Sequence, residues 1–358
     1  MATAIHDERG VGVDNSVALG LVFVLVLVSS RLSLPLLHRT LLRLGCVAQP
    51  STRGLHLQPT PRGGGVIIAL WGVLAMLMFP GSSNTTLLGN SLIIAGLVVV
   101  ALIGFVDDWS HDLPAGVRLL IHLTASALVV SGSYISDLLD YFVVFRSPII
   151  VIAVFLTVIT AWSINAMNFM DGSDALVASQ IVLSSLLFNV FGFITEEDLR
   201  AFIEISVVGL STLAFLTKNF PPATMFLGDV GSGFLGLLIV TFVITTTPVV
   251  WWILPVALIL YSLFIMDTIL TLARRVLRGE RPTSAHREHA YQRIVQRSHR
   301  HQDALIINTA YLLVIAVPLS VLTIARGLPS VITVSLSFLL AGLLVMLVPA
   351  LTTEKDTP

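Results

Sequence analysis

Long apolar runs alternate with short polar connections along almost the whole chain. About 20 apolar residues are needed for a helix to cross the hydrocarbon core of a bilayer, and eleven runs approach or reach that length. They fall near 17–37, 64–80, 87–106, 117–135, 148–167, 175–193, 201–217, 230–247, 249–272, 304–324 and 327–350. The runs are too long and too continuously apolar for barrel strands, so the pattern predicts an all-α, polytopic membrane bundle of about eleven transmembrane helices.

The composition supports this interpretation of the pattern. The chain has 358 residues, of which 55% are hydrophobic and only 11% charged, against roughly a quarter charged in an ordinary soluble domain. We therefore expect one integral-membrane domain over residues 1–358 and no nucleic-acid partner. The single cysteine, Cys46, excludes an internal disulfide framework and a cysteine-based metal site. The N-terminal residues lack the basic start of a signal peptide, so we expect the first apolar run to remain as a helix.

Basic residues lie mostly on one side of the predicted bundle. If the N-terminus is outside, 16 of the 20 lysines and arginines fall on the inner side, and the outer four are Arg9, Arg146, Arg200 and Arg326. The positive-inside rule therefore predicts an outer N-terminus, a cytoplasmic C-terminus and an odd number of helices. The inner connections are also longer and richer in polar groups, so we expect the active site on the cytoplasmic loops.

Two adjacent carboxylates, Asp107 and Asp108, stand at the inner end of the third apolar run, in GFVDDWSHDL. The C-terminus of a helix already carries partial negative charge, so the helix and each carboxylate repel the other. A divalent cation or a nearby arginine would relieve that repulsion. A solvated helix end is the alternative, but for an adjacent pair at the end of a membrane helix we favour a functional site.

The segment NAMNFMDGSD, residues 165–174, follows an almost entirely apolar run. It places amides and carboxylates three residues apart, with a glycine among them: Asn165, Asn168, Asp171, Gly172 and Asp174. On a helix this spacing keeps the four polar groups near one side for two turns, where they can hold a base, a sugar or a metal-bound water. The alternative is that one aspartate caps the next helix, which we expect to begin near Ala175.

A third acidic motif, FPPATMFLGDVGSG at residues 220–233, places Asp229 between Gly228 and the glycines that open the eighth run. Glycines there expose backbone N–H groups at a helix N-terminus, which binds anions readily. Together with the other two acidic loops, Asp229 also provides a third carboxylate for one Mg²⁺. The ligands on offer are oxygen donors without thiolate, which suits this ion, and Mg²⁺ is usually shared with substrate phosphates.

The longest connection, residues 274–303, is predicted to be a long basic cytoplasmic loop. Its eight arginines suit bidentate contacts with phosphate. The alternative explanations are the positive-inside bias itself and attraction to the anionic headgroups of membrane lipids. We apply these alternatives to Arg297, His299, Arg300 and His301. His286 and His289, in AHREHAYQR, are three residues apart, so we expect them to share a helix face and to be better candidates for a site.

Two further features of the sequence, Asp267 and a glycine-rich turn, can each be interpreted in more than one way. Asp267 lies inside the ninth run, about two turns before Arg274, and an ionisable residue at that depth usually faces a cavity or a partner. The stretch QPTPRGGG, residues 58–65, is a turn into the second run. Its glycines serve either tight helix packing or the close approach of a ligand.

Taken in order, five motifs resemble those of the polyprenyl-phosphate N-acetylhexosamine-1-phosphate transferases. The motifs are PTPRGGG, DDW with Arg118 downstream, NAMNFMDGSD, FLGDVGSGFLG and HREHAYQR. The resemblance implies transfer of a sugar 1-phosphate from a UDP-N-acetyl sugar to undecaprenyl phosphate, with release of UMP, as the first membrane step of O-antigen or related envelope polysaccharide synthesis. It also implies Mg²⁺, or Mn²⁺ in its place, and a bacterial inner-membrane location.

The same resemblance suggests roles for particular residues. Asp107, Asp108 and Asp229 are expected to be catalytic and to bind the metal, with Asp229 as its chief ligand. The residues expected in substrate binding are Asn165, Asn168, Asp171, Gly172, Asp174, Phe226, Arg118, Arg275 and Arg287. His286 and His289 match the family's histidine-rich motif as catalytic residues. Here the motif is only H-x-x-H, which suggests an amino sugar other than the muramyl peptide, with GlcNAc as the default and FucNAc or QuiNAc as alternatives.

Two other classes of protein compete with the enzyme. A cation or solute transporter would use the inner carboxylates as a path through the membrane, but it predicts charges near helix midpoints, whereas here they crowd at the inner ends. An inactive scaffold for envelope assembly would not need the intact set of carboxylates. Direct attack and a covalent aspartyl-phosphate are both compatible with the sequence, and so is a homodimer.

Overall fold

The computed structural model describes residues 13–48, 59–79, 85–110, 113–142, 148–280 and 286–352, and these residues are almost entirely helical. Five of the basic residues used for the predicted orientation lie outside the described residues: Arg9, Arg53, Arg146, Arg281 and Lys355. The direction in which the bundle crosses the membrane therefore stays a prediction.

The described residues form fourteen α-helices and one short pair of strands. The helices are α1 (Val13–Leu44), α2 (Val66–Met78), α3 (Leu87–Ser110), α4 (Ala115–Ile135), α5 (Ile149–Met170), α6 (Leu176–Ile194), α7 (Ile203–Asn219), α8 (Gly228–Thr246), α9 (Ile253–Leu260), α10 (Ser262–Leu277), α11 (Ala290–Ser298), α12 (His301–Tyr311), α13 (Val317–Ile324) and α14 (Ser330–Thr352). Short 3-10 helices cover Leu138–Phe142 and Leu199–Phe202, and a π-helical turn, Leu312–Ala316, joins α12 to α13. Strands β1 (Val47–Ala48) and β2 (Thr60–Pro61) pair antiparallel.

The predicted all-α membrane bundle is confirmed. Within the described residues, nine helical stretches are long and apolar enough to cross a membrane, and α9 with α10 makes a tenth if the bent pair is one span. The second predicted run is shorter than expected, because α2 has 13 residues, or about 20 Å against a hydrocarbon core of about 30 Å. The preceding residues are in β2 and in a bridge between Arg62 and Phe226, so they do not lengthen the helix.

The ninth predicted run is broken at Tyr261, where α9 and α10 meet at 59°. Polar groups of other helices satisfy the backbone at the break. Gln180 of α6 donates to the carbonyl of Leu260 at 3.0 Å and accepts from Asn308 of α12 at 3.0 Å. Ser262 lies 2.8 Å from the hydroxyl of Tyr311. A break inside a membrane helix is tolerated when neighbours re-satisfy its backbone in this way.

Helix α8 is the centre of the bundle. Of its span, 89% is buried, compared with 17% for α1, and it packs between α3 and α5. Glycine permits the close approach of α3, because a Cβ on Gly104 would lie only 2.5 Å from the carbonyl oxygen of Asp229. The inner end of α3 therefore meets the start of α8 backbone to backbone, and the two acidic motifs come together.

The stretch 274–303, predicted to be one long loop, is partly helical. Helix α10 continues to Leu277, α11 occupies Ala290–Ser298, and α12 begins at His301. The prediction of a continuous loop is therefore wrong over much of this stretch, because α11 packs on α12 and α14 and has a hydrophobic side to bury.

Candidate active site

Three carboxylates and two arginines meet at the junction of α3 and α8, and we call this set the carboxylate cluster: Asp107, Asp108, Asp229, Arg62 and Arg118. Arg62 contacts two of the carboxylates, with Nε 2.7 Å from Asp108 Oδ1 and Nη2 2.7 Å from Asp229 Oδ1. Arg118 Nη1 lies 2.7 Å from Asp107 Oδ2 and 3.4 Å from Asp229 Oδ2. Three carboxyl groups therefore share two guanidinium groups.

Asp108 caps the start of α8. Its carboxylate is fully buried and accepts hydrogen bonds from the backbone N–H of Asp229 at 2.9 Å and of Val230 at 3.1 Å. Gly228 has φ +78, and a Cβ there would lie 2.4 Å from Asp108 Oδ2, so only glycine fits. The anion predicted at this helix N-terminus is thus the protein's own carboxylate. Metal binding by Asp108 stays a prediction, while its contacts indicate that it positions Asp229.

Arg62 is the member of the cluster that the sequence interpretation missed. The backbone around it is hydrogen-bonded to the third acidic motif: Phe226 N–H donates to Pro61 at 2.8 Å, and Gly64 N–H donates to Phe226 at 2.9 Å. Burial alone would lower the pKa of Arg62, but the charges of Asp229 and Asp108 outweigh it and raise the pKa. The arginine stands inside PTPRGGG, but the sequence around it does not indicate that its partners are Asp108 and Asp229, which lie far along the chain.

The glycines of PTPRGGG serve packing. A Cβ on Gly65 would lie 2.1 Å from the Cα of Gly231 in α8, and Gly65 N–H donates to the carbonyl of Leu227 at 2.9 Å. The first turn of α2 and the first turn of α8 therefore touch through their backbones. Of the two interpretations left open by the sequence, these contacts support tight packing.

A cavity of about 50 Å³ opens beside the cluster, lined by Asp107, Arg118, Asn165, Asn168 and Asp229 among other residues. Asn168 donates to Asp229 Oδ1 at 2.8 Å and to the hydroxyl of Ser232 at 3.2 Å. Asn165 donates to the carbonyl of Ala161 in its own helix at 2.7 Å, and its side chain is also hydrogen-bonded to His122 of α4. Three helices that are distant in sequence, α3, α5 and α8, thus supply acidic and amide groups to one small space.

The four polar residues of NAMNFMDGSD do not follow one helix side for two turns as predicted. Helix α5 ends at Met170, so it carries only Asn165 and Asn168, and Asp171 is its C-cap. The next residue, Gly172, packs closely against Tyr291, whose hydroxyl would lie 2.2 Å from a Cβ on this glycine. Desolvation and then the charge of Asp229 raise the pKa of Asp171 well above its ordinary value.

Asp174 joins two loops and does not cap α6. Its Oδ2 accepts a hydrogen bond from the backbone N–H of Ala223 at 2.9 Å. The capping contact at α6 comes from Asn219, whose Oδ1 accepts from Ala175 N–H at 3.0 Å while its amide donates to the carbonyl of Met225 at 3.0 Å. The alternative that an aspartate caps α6 is therefore wrong. Asn219 was missed because its partners are 44 and 6 residues away and nothing local marks it.

His301 also has a role that the lipid-headgroup interpretation did not predict. Its Nδ1 accepts from the backbone N–H of Asp174 at 3.2 Å and lies 3.0 Å from the hydroxyl of Ser173. The start of α12 thereby supports the turn that follows the two asparagines.

The stretch before and within α11, residues 286–298, forms what we call the histidine segment. Glu288 pairs with Arg275 and Arg278 at the end of α10, and Arg275 also lies 2.9 Å from Glu280. Burial alone would raise the pKa of Glu288, but hydrogen bonds from the two arginines lower it. Arg275 is buried and neutralised by glutamates, so it is not presented to the cavity as a substrate ligand. Arg287 is partly exposed in the same segment.

His286 and His289 do not share a helix face. Helix α11 begins at Ala290, so His289 is its N-cap and His286 lies in the non-helical residues before it. The two rings are nevertheless close, with centroids 5.1 Å apart. Desolvation, followed by the charges of His289 and Arg275, lowers the pKa of His286 to about 4. The predicted shared face is wrong because a helix carrying both histidines would have to begin by His286, whereas α11 begins at Ala290.

The histidine segment contacts the end of α5. The ring of His289 stacks on Phe169 with centroids 5.8 Å apart, and the hydroxyl of Tyr291 donates to the carbonyl of Phe169 at 2.8 Å. Phe169 itself lines the cavity. The end of α5 therefore joins the carboxylate cluster on one side to the histidine segment on the other.

The donors around the cavity fit a Mg²⁺ ion only in part. Among the residues that the structure describes, no group of three or more His, Cys, Asp and Glu side chains surrounds a metal-sized space. Mg²⁺, however, usually takes one or two carboxylates and completes its shell with water and substrate phosphates. Asp107 and Asp229, which both line the cavity, match that requirement.

Known proteins are similar to this chain over most of its length. A family model described as Glycosyl transferase family 4 matches residues 90–247. A probable undecaprenyl-phosphate N-acetylglucosaminyl 1-phosphate transferase of Bacillus subtilis is 28% identical over 305 residues, 84% of this chain and 82% of its own. A decaprenyl-phosphate N-acetylglucosaminephosphotransferase of Mycolicibacterium smegmatis is 29% identical over 74% of this chain and 72% of its own. A phospho-N-acetylmuramoyl-pentapeptide-transferase of Desulforudis audaxviator is 31% identical over 62% of this chain and 72% of its own.

Proposed function

The chain belongs to glycosyl transferase family 4, the polyprenyl-phosphate N-acetylhexosamine-1-phosphate transferases, and on that premise we propose that it transfers an N-acetylamino-sugar 1-phosphate from a UDP-sugar to undecaprenyl phosphate. The observation that carries the proposal is the carboxylate cluster beside an amide-lined cavity at the ends of membrane helices. A phosphoryl transfer needs cationic groups and metal-binding carboxylates in one place, and this is where the chain collects them.

The reaction exchanges one phosphorus–oxygen bond for another. An oxygen of the lipid phosphate becomes bonded to the β-phosphorus of the UDP-sugar, the bond from that phosphorus to the oxygen bridging the α-phosphate breaks, and UMP leaves. Direct attack and a two-step route through an aspartyl-phosphate have this same outcome. Both bring like charges together, so the enzyme has to neutralise them.

Each member of the cluster has a part in that neutralisation. Arg118 has a side chain 37% exposed and turned to the cavity, and we assign it to the substrate phosphates. Asp107 and Asp229 would hold Mg²⁺, which when bound supplies further positive charge at the diphosphate. Asp107 can also accept the last proton of the lipid phosphate. Arg62 and Asp108 hold Asp229 in place.

The amide and loop residues are proposed to hold the sugar nucleotide. Asn165 and Asn168 line the cavity and offer donors and acceptors to a sugar or base. Asp171, Gly172 and Phe226 belong to neighbouring loops, and we assign them to contacts along the nucleotide. Asp174 accepts a hydrogen bond from the backbone of Ala223, so it supports these loops and is not itself assigned a contact with the nucleotide.

The position of the cluster suits substrates of opposite solubility. Asp107 and Asp108 are in the last turn of α3 and Asp229 is in the first turn of α8, and both helices are membrane spans. A long isoprenoid in the bilayer and a water-soluble UDP-sugar meet at such an end. We propose that this end faces the cytoplasm of a bacterial inner membrane, as the positive-inside rule predicts.

UDP-GlcNAc is the donor that we propose first. Two of the similar proteins are named for N-acetylglucosamine and polyprenyl phosphates, and the short H-x-x-H motif argues against a muramyl peptide. Those names do not mention O-antigen, so we widen the proposed role to the initiation of a cell-envelope polysaccharide.

The proposal is tested by measuring UMP release from purified protein with Mg²⁺, undecaprenyl phosphate and UDP-GlcNAc, UDP-GalNAc or UDP-MurNAc-pentapeptide in parallel. We expect release with UDP-GlcNAc that requires both the lipid and the metal. Absence of release with every sugar, from protein shown to be folded, would contradict the proposal. Cation flux into liposomes without UMP release would instead support the transporter.

A further inference from the structure

Asp267 of α10 is a carboxylate within a membrane helix that the proposed chemistry does not use. Its side chain is 3% exposed, and its partners come from a different part of the chain. Oδ1 accepts from the backbone N–H of Ala290 at 2.9 Å, and Oδ2 lies 3.5 Å from the backbone N of Tyr291. A negative charge placed at the first turn of a helix stabilises that turn. Asp267 thereby fixes the start of α11 to α10.

The same carboxylate faces the imidazole of His289. Nδ1 of this histidine lies 3.4 Å from Asp267 Oδ1. The ring is 2% exposed and belongs to the N-cap residue of α11, where it faces the backbone N–H of Gln292. Neither of its nitrogens has a hydrogen-bond partner among the described residues. Buried polar groups nearly always have a hydrogen-bond partner, so a ring with two such nitrogens calls for an explanation.

The side chains around His289 fix the orientation of its ring. Phe169 and Tyr291 stack on the ring, with centroids 5.8 Å and 6.0 Å away, so its plane is held while its nitrogens are left without hydrogen bonds. Phe169 also lines the cavity beside the carboxylate cluster. Catalytic hydrogen bonds are often long in the free enzyme and shorten when substrate binds. A carboxylate beside one nitrogen of a histidine commonly sets the tautomer and thus leaves the other nitrogen as an acceptor.

We propose that Asp267 is a positioning residue that acts through His289. It holds the ring with Nδ1–H directed at the carboxylate, so that Nε2 is an acceptor for a hydroxyl or N–H group of the sugar nucleotide. This inference rests on the proposed function, because the sugar nucleotide supplies the missing donor. The simpler role, in which Asp267 only caps α11, makes a different prediction for paired substitutions.

A double-mutant cycle separates the two roles. D267N keeps the size of the side chain but loses the charge, H289Q removes the ring, and the third variant combines them. Substitution of a group that orients a functional histidine typically lowers activity about 10–100-fold. We expect each single variant to lose at least tenfold in kcat for UMP release, and the double variant to lose no more than about twofold beyond H289Q. Losses that multiply would overturn the proposal, because residues acting through one another are not additive.

Two further variants control for general damage. D267E keeps the carboxylate, and we expect it to retain more kcat than D267N; the reverse order would overturn the proposal. T271V removes a hydroxyl that lies 3.2 Å from Asp267 Oδ1 without touching His289. We expect the kcat of T271V to stay within about threefold of that of the unsubstituted enzyme. A loss as large as that of D267N would overturn the proposal, because it would show that the loss of activity does not depend on the contact between Asp267 and His289.

A second readout keeps this inference separate from the proposed function. The thermal midpoints of the same four proteins of the cycle are measured without substrate. If the unsubstituted protein releases no UMP, the proposed function fails. The coupling of Asp267 to His289 is still expected, and it would appear as a shift in the thermal midpoint of the double variant that is smaller than the sum of the two single shifts. Shifts that add fully, in folded protein, would overturn the positioning role whether or not the enzyme is active.

Discussion

The carboxylate cluster and the histidine segment are both joined to the end of α5, but they are held in place by different means. The cluster lies where helices touch through their backbones, as at Gly65 and Gly231, and its charges are paired at 2.7 Å. The histidine segment is attached by side chains: Asp267 at its helix start, Tyr291 on the carbonyl of Phe169, and Glu288 on two arginines.

That difference suggests separate roles for the carboxylate cluster and the histidine segment. Backbone contacts between glycines leave little room for adjustment, which suits groups that must hold a metal and phosphates at fixed distances. Side-chain anchors can shift by rotation, which suits a segment that meets sugars of varied shape. The family match covers 90–247, and so includes most of the cluster but not the histidine segment. The following predictions test this contrast.

The largest effect is expected at Gly65. In G65A the new methyl group would overlap the backbone of Gly231 at 2.1 Å, so α2 and α8 must separate. Overpacking of this kind costs about 1–3 kcal/mol or more, and we expect a strong fall in the thermal midpoint or in the yield of folded protein. G116A is the control, because nothing lies within 4 Å of its added methyl group. Equal midpoints for the two variants would contradict the tight contact.

Gly172 gives the matching test on the side of the histidine segment. A methyl group there meets the hydroxyl of Tyr291 at 2.2 Å, which is the end of a side chain and not a backbone. We expect G172A to lower the thermal midpoint less than G65A while reducing UMP release. A midpoint as low as that of G65A would erase the distinction between the two regions.

Arg62 is expected to show the next largest effect, on catalysis. R62M removes the cationic partner of Asp108, which is buried, and of Asp229, which is partly buried. We expect kcat to fall about 10²-fold, similar to the loss of one electrostatic donor, with KM for the UDP-sugar nearly unchanged. R62K restores a charge but not the fork that reaches two carboxylates, so we expect it to lie between R62M and the unsubstituted enzyme. Full activity of R62M would show that the cluster does not depend on Arg62.

Tyr291 should show a smaller effect. Y291F removes the hydroxyl that donates to Phe169 at 2.8 Å, a loss of about 1 kcal/mol, or roughly fivefold in kcat/KM if all of it reaches the substrate. Y311F is the matched control, since Tyr311 donates to the carbonyl of Ser337 at the same 2.8 Å, away from the cavity. We expect both variants to be destabilised but only Y291F to lose activity. Equal activities would contradict a link from the histidine segment to the cavity.

The smallest effect concerns pH. Desolvation, followed by the charges of His289 and Arg275, lowers the pKa of His286 to about 4 in the folded protein, whereas the pKa of an unfolded histidine is about 6.5. As the pH falls, the unfolded chain takes up the proton first, so stability is present above about pH 6.5 and is lost towards pH 4. His286 is partly exposed, so we expect only about 1–2 °C in the thermal midpoint. H286Q should weaken the dependence of the thermal midpoint on pH between about pH 6.5 and pH 4. An identical dependence in H286Q would contradict a neutral His286.

The helical membrane architecture was predictable because apolar runs report directly on spans. The shortening of α2 and the break at Tyr261 were not, since they depend on distant partners such as Phe226, Gln180 and Tyr311. A local pattern carries no information about which remote side chain will satisfy a freed carbonyl. The eleven apolar runs were therefore correct as helices, while their lengths and continuity needed the folded structure.

The site shows the same limit. The three acidic motifs were recognised in the sequence, because carboxylates beside a membrane are conspicuous. The cap that Asp108 makes on α8 and the double contact of Arg62 join residues from separate motifs. Asn219 likewise bonds to Ala175, 44 residues away. Spacing along the chain also suggested helix faces for Asp171 and His289, but the helices end and begin at other residues. Pairing across the bundle decides these positions.

The most direct test of the central claim compares two aspartates that both pair with an arginine. Asp229 lies in the carboxylate cluster, while Asp198 pairs with Arg200 at 2.7 Å at an exposed site. UMP release is measured for D229N and D198N with UDP-GlcNAc, undecaprenyl phosphate and Mg²⁺. We predict that D198N keeps the activity of the unsubstituted enzyme and that D229N loses about 10²–10³-fold in kcat. Activity of folded D229N close to that of D198N would contradict the account.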